Sequence, residues 1–159
     1  MKSLVVYDSV FGNTEKIALA IGEALAAGGE ALALPVGQVT PEMLQGQDLL
    51  VVGSPTRGFR PTEDISKLLN TIGKNRLAGQ RVAAFDTRFA LESIDSSTVR
   101  FIVKTGGYAA STIAKELKKR GGNLVAAPEG FLVTGEKGPL KEGELERAKE
   151  WGRGLGQPG

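Results

Sequence analysis

Short apolar runs alternate with stretches of helical spacing five times along this chain, and that alternation constrains the fold more than any other feature. Ser3 to Tyr7 contains two adjacent valines and no charged position before Asp8, which predicts a strand buried on both faces. From Thr14 onward, Ile17, Ala18, Ile21, Ala24 and Leu25 recur at steps of three and four, and Gly28 and Gly29 end that helix. Further strands are predicted at Ala31 to Pro35, Asp48 to Gly53 and Arg81 to Asp86, and Leu124 to Ala127 with Gly130 to Val133 reads as one strand interrupted by Pro128. Helices are predicted at Thr62 to Ile72, Tyr108 to Arg120, and Gly143 to Leu155 with Leu145, Ala148, Trp151 and Gly152 on one side. Thr40 and Pro41 open a shorter turn ending at Leu44. Thr87 to about Arg100 has no period and is expected to be a functional loop. Buried-type strands separated by helices define an α/β protein with a parallel sheet covered on both faces. Ligands bind such sheets outside the C-terminal ends of the strands, which directs attention to the loops after strands one, three and four.

The 159 residues form one expected domain, residues 1–159, with no internal repeat and no linker. Cysteine and histidine are both absent, which excludes disulfides, thiolate nucleophiles, iron–sulfur ligation, imidazole-ligated metals and any Ser-His-Asp triad. Redox or acid–base chemistry would therefore be carried by a borrowed cofactor or by unusual side chains, with no catalytic residue and no metal ligand assigned. A net charge of +2, from 20 basic and 18 acidic residues, is too balanced to imply nucleic acid. The local basic run Lys115, Lys118, Lys119 and Arg120 reads as a helix end, where cations complement the dipole. No apolar run approaches the roughly 20 residues needed to cross a bilayer, and Met1 and Lys2 lead straight into a core-like strand, so no membrane association and a cytoplasmic location are expected.

Strand one is followed by Asp8-Ser9-Val10-Phe11-Gly12-Asn13-Thr14, which runs directly into a helix. Hydroxyls, an amide, a glycine and a free helix N-terminus are the parts needed to hold a phosphate dianion without a positive side chain. A plain N-cap needs only one of them. The Walker lysine and the three-glycine dinucleotide fingerprint are both missing from this loop. Gly152, Gly154 and Gly156 mimic the latter but follow a helix, and are expected to be a frayed tail.

The segment Val5-Val6-Tyr7-Asp8-Ser9-Val10-Phe11-Gly12-Asn13-Thr14-Glu15-Lys16-Ile17-Ala18 closely resembles the N-terminal signature of flavodoxins, and the order of elements matches that family along essentially the whole chain. The resemblance implies a flavodoxin-like three-layer sandwich of the short-chain type, with a five-stranded parallel sheet in the order 2-1-3-4-5. It also implies one non-covalent FMN, its phosphate held by Ser9, Val10, Phe11, Gly12, Asn13 and Thr14. The loop after strand three, with Pro55, Thr56, Arg57, Gly58, Phe59 and Arg60, would cover the inner face of the flavin. Asp86, Thr87, Arg88 and Phe89 after strand four would hold its outer face and pyrimidine edge, Asp86 serving equally well as a cap for the loop. In this family a peptide beside the ring turns as the flavin is reduced, and Arg57–Gly58 is the matching bond, since glycine tolerates positive φ.

Two departures stand out. Flavodoxins are commonly acidic, whereas this chain places Arg57, Arg60 and Arg88 on the flavin loops, which predicts a raised potential. The usual Trp and Tyr ring partners are replaced by Phe59 and Phe89, and Trp151 falls on the last helix as a core residue. The resemblance implies an electron-transfer flavoprotein serving redox partner proteins, as a monomer or weak homodimer. The segment Gly53-Ser54-Pro55-Thr56-Arg57 also resembles flavodoxin-like quinone reductases, so an NAD(P)H-dependent quinone or flavin reductase is a rival. A regulatory module that keeps only the fold is a third reading.

Overall fold

In the computed structural model, residues 1–89 and 108–157 are described. The elements are β1 (Lys2–Tyr7), α1 (Asn13–Ala26), β2 (Glu30–Pro35), β3 (Leu49–Pro55), α2 (Glu63–Asn70), β4 (Arg81–Phe89), α3 (Ala109–Lys119), β5 (Asn123–Leu124), β6 (Glu129–Val133) and α4 (Glu144–Leu155). Short 3₁₀ turns at Val36–Gln38 and Pro41–Leu44 join β2 to β3. The strands are all parallel, in the order β2-β1-β3-β4-β5, and β6 also pairs with β4. Of the loop expected from Thr87 to about Arg100, Thr87 to Phe89 instead extend β4, and the rest lies outside the described residues, as does the stretch from Leu91 to Thr105.

The fifth position of the sheet is shared. Arg81 and Val82 pair with Asn123 and Leu124, while Phe85 to Phe89 pair with Glu129 to Val133. The offset between partners grows from 42 to 44 residues across Val125 to Pro128, so two extra residues bulge out where Pro128 has no N–H to give the ladder. The interrupted single strand read from the sequence is therefore present as two segments in one register lane.

Alternate side chains of the central strands enter opposite cores. Leu4, Val6, Leu50, Val52, Val82 and Ala84 pack with Ile65 and Leu69 of α2 and Ile113 and Leu117 of α3. Val5, Val51, Ala83 and Phe85 pack with Ile17, Ile21 and Leu25 of α1 and Ala148 and Leu155 of α4. Phe85, Phe131 and Trp151 meet edge to face in a closed trio, with ring centroids 6.0 to 6.2 Å apart. Each such pair contributes about 0.5–1.5 kcal/mol beyond area burial.

Two expectations for the last helix are corrected. Leu145 is exposed, and the inward positions are Glu144, Ala148, Gly152 and Leu155. The turn preceding α4 fixes this phase, because Gly143 is left-handed at the N-cap and points Glu144 inward. Gly152 and Gly154 are helical rather than frayed, and Gly156 is the C-cap. A Cβ on Gly152 would lie 3.1 Å from both the Ala24 Cβ and the Ile21 carbonyl, so this glycine lets α1 and α4 approach closely.

Gly53 performs the same service within the sheet. It pairs laterally with Phe85, whose ring lies over it, and a Cβ there would fall 2.0 Å from that ring. Gly53→Ala must push Phe85 into Phe131 and Trp151, and we expect a loss of about 1–3 kcal/mol. Urea unfolding should show a lower midpoint at unchanged slope; an unchanged midpoint would show that the aromatic trio has room to move.

Candidate functional site

The C-terminal ends of β1, β3, β4 and β6 surround a cavity of about 390 Å³. That volume lies within the roughly 300–1,000 Å³ of small-molecule and cofactor clefts. Its first wall is Val10, Phe11, Asn13 and Thr14, where α1 begins. Gly12 occupies the N-cap position at φ 93°, with no side-chain cap. The amides of Val10, Phe11, Asn13 and Thr14 have no acceptor among the described residues. Ser9 shapes this arch from behind, its Oγ accepting from the Gly12 and Glu15 amides at 3.1 and 3.3 Å. Unpaired N–H groups at the positive end of a 14-residue helix form a ready anion cradle.

Tyr7 and Thr14 fasten the cradle to the sheet. The Tyr7 hydroxyl donates to the Glu15 carboxylate at 2.9 Å, and burial first, then the neighbouring carboxylate, pushes the phenol above its usual range. Thr14 and Thr87 share a buried hydroxyl–hydroxyl hydrogen bond of 2.8 Å, which joins the first loop to β4.

The second wall is Pro55, Thr56, Arg57 and Gly58. Beyond β3 the chain reverses in a two-residue turn, with Arg57 and Arg60 exchanging both backbone bonds at 2.8 and 3.0 Å. Gly58 and Phe59 both have positive φ, 55° and 66°, as a type I′ turn requires. For a phenylalanine this conformation costs about 1 kcal/mol. The Phe59 ring is half-buried and stands outside the cavity lining, although it is one of the residues expected to cover the flavin. Arg60 is exposed and also stands outside the lining. Ser54 anchors the turn by accepting from the Thr62 amide at 2.9 Å.

Thr87, Arg88 and Phe89 form the third wall, with Phe89 about 41% exposed. Asp86 does not reach the cavity. Fully buried beneath it, the carboxylate takes two bonds from Arg88, at 2.6 and 2.7 Å, and one from the Ala110 amide at 2.9 Å. Thr56 Oγ1 accepts from the adjacent Ala109 amide, so a side chain just beyond β3 and one from β4 together cap α3. Burial pushes the Asp86 carboxyl upward, opposed by Arg88 and the helix amide. The Arg88 guanidinium also lies 3.5 Å from the centre of the Tyr108 ring. Its charge is thus compensated before it faces the cavity.

A fourth wall was not anticipated from the sequence. Val133 and Glu136 line the cavity from the segment after β6. That segment is a hairpin closed by Thr134–Pro139 and Lys141–Leu132 backbone bonds, and Asn13 Nδ2 donates across to the Lys137 carbonyl at 3.2 Å. The signal for it was the rule already applied to the other loops: the fifth strand ends at the same edge as β1, β3 and β4.

Glu144 holds this hairpin from below. It accepts from the Leu132 amide at 2.7 Å and from Arg147, which also reaches Glu129 and the Gly130 carbonyl. Burial works to raise the Glu144 carboxyl, but Arg147 and the Leu132 amide outweigh it and hold the group below the ordinary carboxylate value of 4.5.

The fold is that of a doubly wound α/β protein with an anion cradle and a cofactor-sized cavity at its switch point. The flavodoxin family model matches residues 5–151, so the chain belongs to the flavodoxin family, whose cofactor is FMN. Oxidised flavodoxin 1 of Bacillus cereus matches 98% of this chain and 97% of its own at 18% identity, with a TM-score of 0.77. Flavodoxin 2 of Bacillus cereus matches 98% and 97% at 23% identity and 0.76. The flavodoxin, WrbA-like protein of Agrobacterium tumefaciens matches 97% and 94% at 19% identity and 0.71. At these identities the likeness is one of fold.

Two stability predictions follow from the buried charges. Asp86→Ala leaves Arg88 without its partner and the Ala110 amide without an acceptor, and should cost about 3–5 kcal/mol, read as a lower urea midpoint. Glu144 has a depressed folded-state value, so its contribution is complete above about 4.5 and disappears as pH falls through the lower native value. The gap in urea stability between the parent protein and Glu144→Gln should therefore be wide at pH 7 and close towards pH 3; a gap constant with pH would mean the charge of Glu144 is immaterial.

Proposed function

We propose that this protein is an electron carrier that holds one FMN non-covalently in the four-walled cavity and exchanges electrons with partner redox proteins. The observation that carries this reading is the row of unpaired amides at the start of α1, opening into a cavity that both remaining cofactor loops enter. These groups fit a phosphate: Val10, Phe11, Asn13 and Thr14 offer four N–H donors and a helix dipole, with no lysine of the triphosphate type. Pro55, Thr56, Arg57 and Gly58 on one side, and Thr87, Arg88 and Phe89 on the other, would hold the ring. Bound FMN supplies one- and two-electron chemistry that no side chain here can supply.

The chain's own part is positioning and electrostatics. The Thr14–Thr87 bond keeps the phosphate cradle in register with the wall at the end of β4. The Gly58–Phe59 turn presents the Arg57–Gly58 peptide at the cavity with positive φ already in place at Gly58. Of the three arginines, Arg57 lines the cavity without a carboxylate partner among the described residues, Arg88 is neutralised by Asp86, and Arg60 lies outside. The potential is therefore raised chiefly by Arg57.

Three measurements test this reading. The purified protein, titrated with FMN, should quench flavin fluorescence at one equivalent and acquire flavin absorbance bands. Loaded protein should be reduced and reoxidised by redox proteins but should not sustain NADPH oxidation with a quinone; sustained turnover would favour the reductase. Arg57→Gln should lower the potential of the bound flavin by the equivalent of about 1–4 kcal/mol, as expected for a unit charge within several ångströms, while Arg60→Gln should change it little.

A further inference from the structure

Asn13 is one of the residues expected to face the phosphate, yet its side chain is committed elsewhere. Only 8% exposed, it spends its amide N–H on the Lys137 carbonyl. The match is close on both sides: Gly138 has φ 95°, and a Cβ there would fall 2.6 Å from the Asn13 amide atoms. The hairpin after β6 is thereby latched to the phosphate cradle.

The latch has a chemical consequence. With its carbonyl fixed against Asn13, Lys137 extends its ammonium to 5.9 Å from the centre of the Phe11 ring. Phe11 contributes one of the unpaired amides, and Arg57 reaches the same ring from the opposite loop, also at 5.9 Å. Lys137 forms no ion pair with any described residue. Its neighbour Glu136 faces the cavity and would repel an anion there. A cation beside Glu136 offsets that repulsion at the phosphate end.

We propose that Lys137, held by the Asn13 latch, is a specificity residue for the cofactor's phosphate, so that this chain supplements its amide cradle with a positive charge from the hairpin after β6. This rests on the FMN reading above. The contribution is electrostatic and solvent-exposed, so it is modest and sensitive to salt. It acts on FMN and not on riboflavin, which has the same ring and no phosphate.

The test is the ratio of dissociation constants for riboflavin and FMN, measured by fluorescence quenching with the full-length apoprotein. Lys137→Gln should weaken FMN about two- to fivefold at low salt, leave riboflavin unchanged, and lose its effect in 1 M salt. Lys137→Arg should restore the parent ratio. Gly138→Ala, which dislodges the latch without touching the charge, should reduce the ratio like Lys137→Gln, with unchanged circular dichroism showing that the fold is intact. A parent protein that binds FMN while Lys137→Gln keeps its ratio would overturn the role of Lys137 alone. A parent protein that binds neither flavin would overturn the FMN reading and this inference together.

Discussion

The site is organised around one buried carboxylate. Asp86 stands where the central strand β4 ends, fully enclosed, and an ion so placed is tolerated only when charges and donors surround it. Arg88 and the Ala110 amide meet that demand. In doing so they fix the direction of Arg88, set where α3 begins, and bring the Tyr108 ring against the guanidinium. The next residue, Thr87, faces the opposite side of the strand and bonds Thr14. Strand alternation thus lets consecutive residues of β4 hold two different loops, one on each face of the sheet.

The same alternation explains why the cavity forms at this edge. Parallel strands end together, and each must be followed by a loop that climbs to a helix on one face or the other. The loops after β1 and β6 rise towards the α1 and α4 side, and the one after β3 rises towards α2. Between them lies the cleft, lined at the strand ends by Pro55, Thr87 and Val133. The uncapped start of α1 opens into it because Gly12, left-handed and without a side chain, turns the chain before a cap can form.

What could be read from the sequence was what depends on neighbours in the chain. Ile17, Ala18, Ile21 and Leu25 are buried as their spacing required. That the loop from Ser9 to Thr14 leads straight into a helix was legible because its hydroxyls, glycine and helix start are contiguous. Contacts between distant residues were not legible. The tie from Asn13 to Lys137 spans 124 positions, and neither residue type hints at the other. Glu144 is one of two acidic residues in the first turn of α4, and its inward direction depends on the left-handed Gly143. Phe59 follows Gly58 with a second positive φ, and its half-buried ring stands outside the cavity lining, a backbone effect that residue type does not show.

Charge shows most clearly why composition and site must be argued separately. Three arginines on two loops promised a strongly cationic flavin environment. The fold instead buries an aspartate under one, directs another to solvent, and leaves Arg57 at the cavity wall. It then brings in two charges from a loop that the sequence had not connected to the site, Glu136 and Lys137, of opposite sign and one residue apart. In such an arrangement the net charge of the chain carries no information about the field at the cofactor. What matters is which charges keep their counter-ions inside the protein and which spend them on the ligand. On the proposed FMN reading, Arg88 belongs to the first kind and Arg57 and Lys137 to the second, and the difference is made by two buried anchors, Asp86 beneath Arg88 and Asn13 against the Lys137 carbonyl.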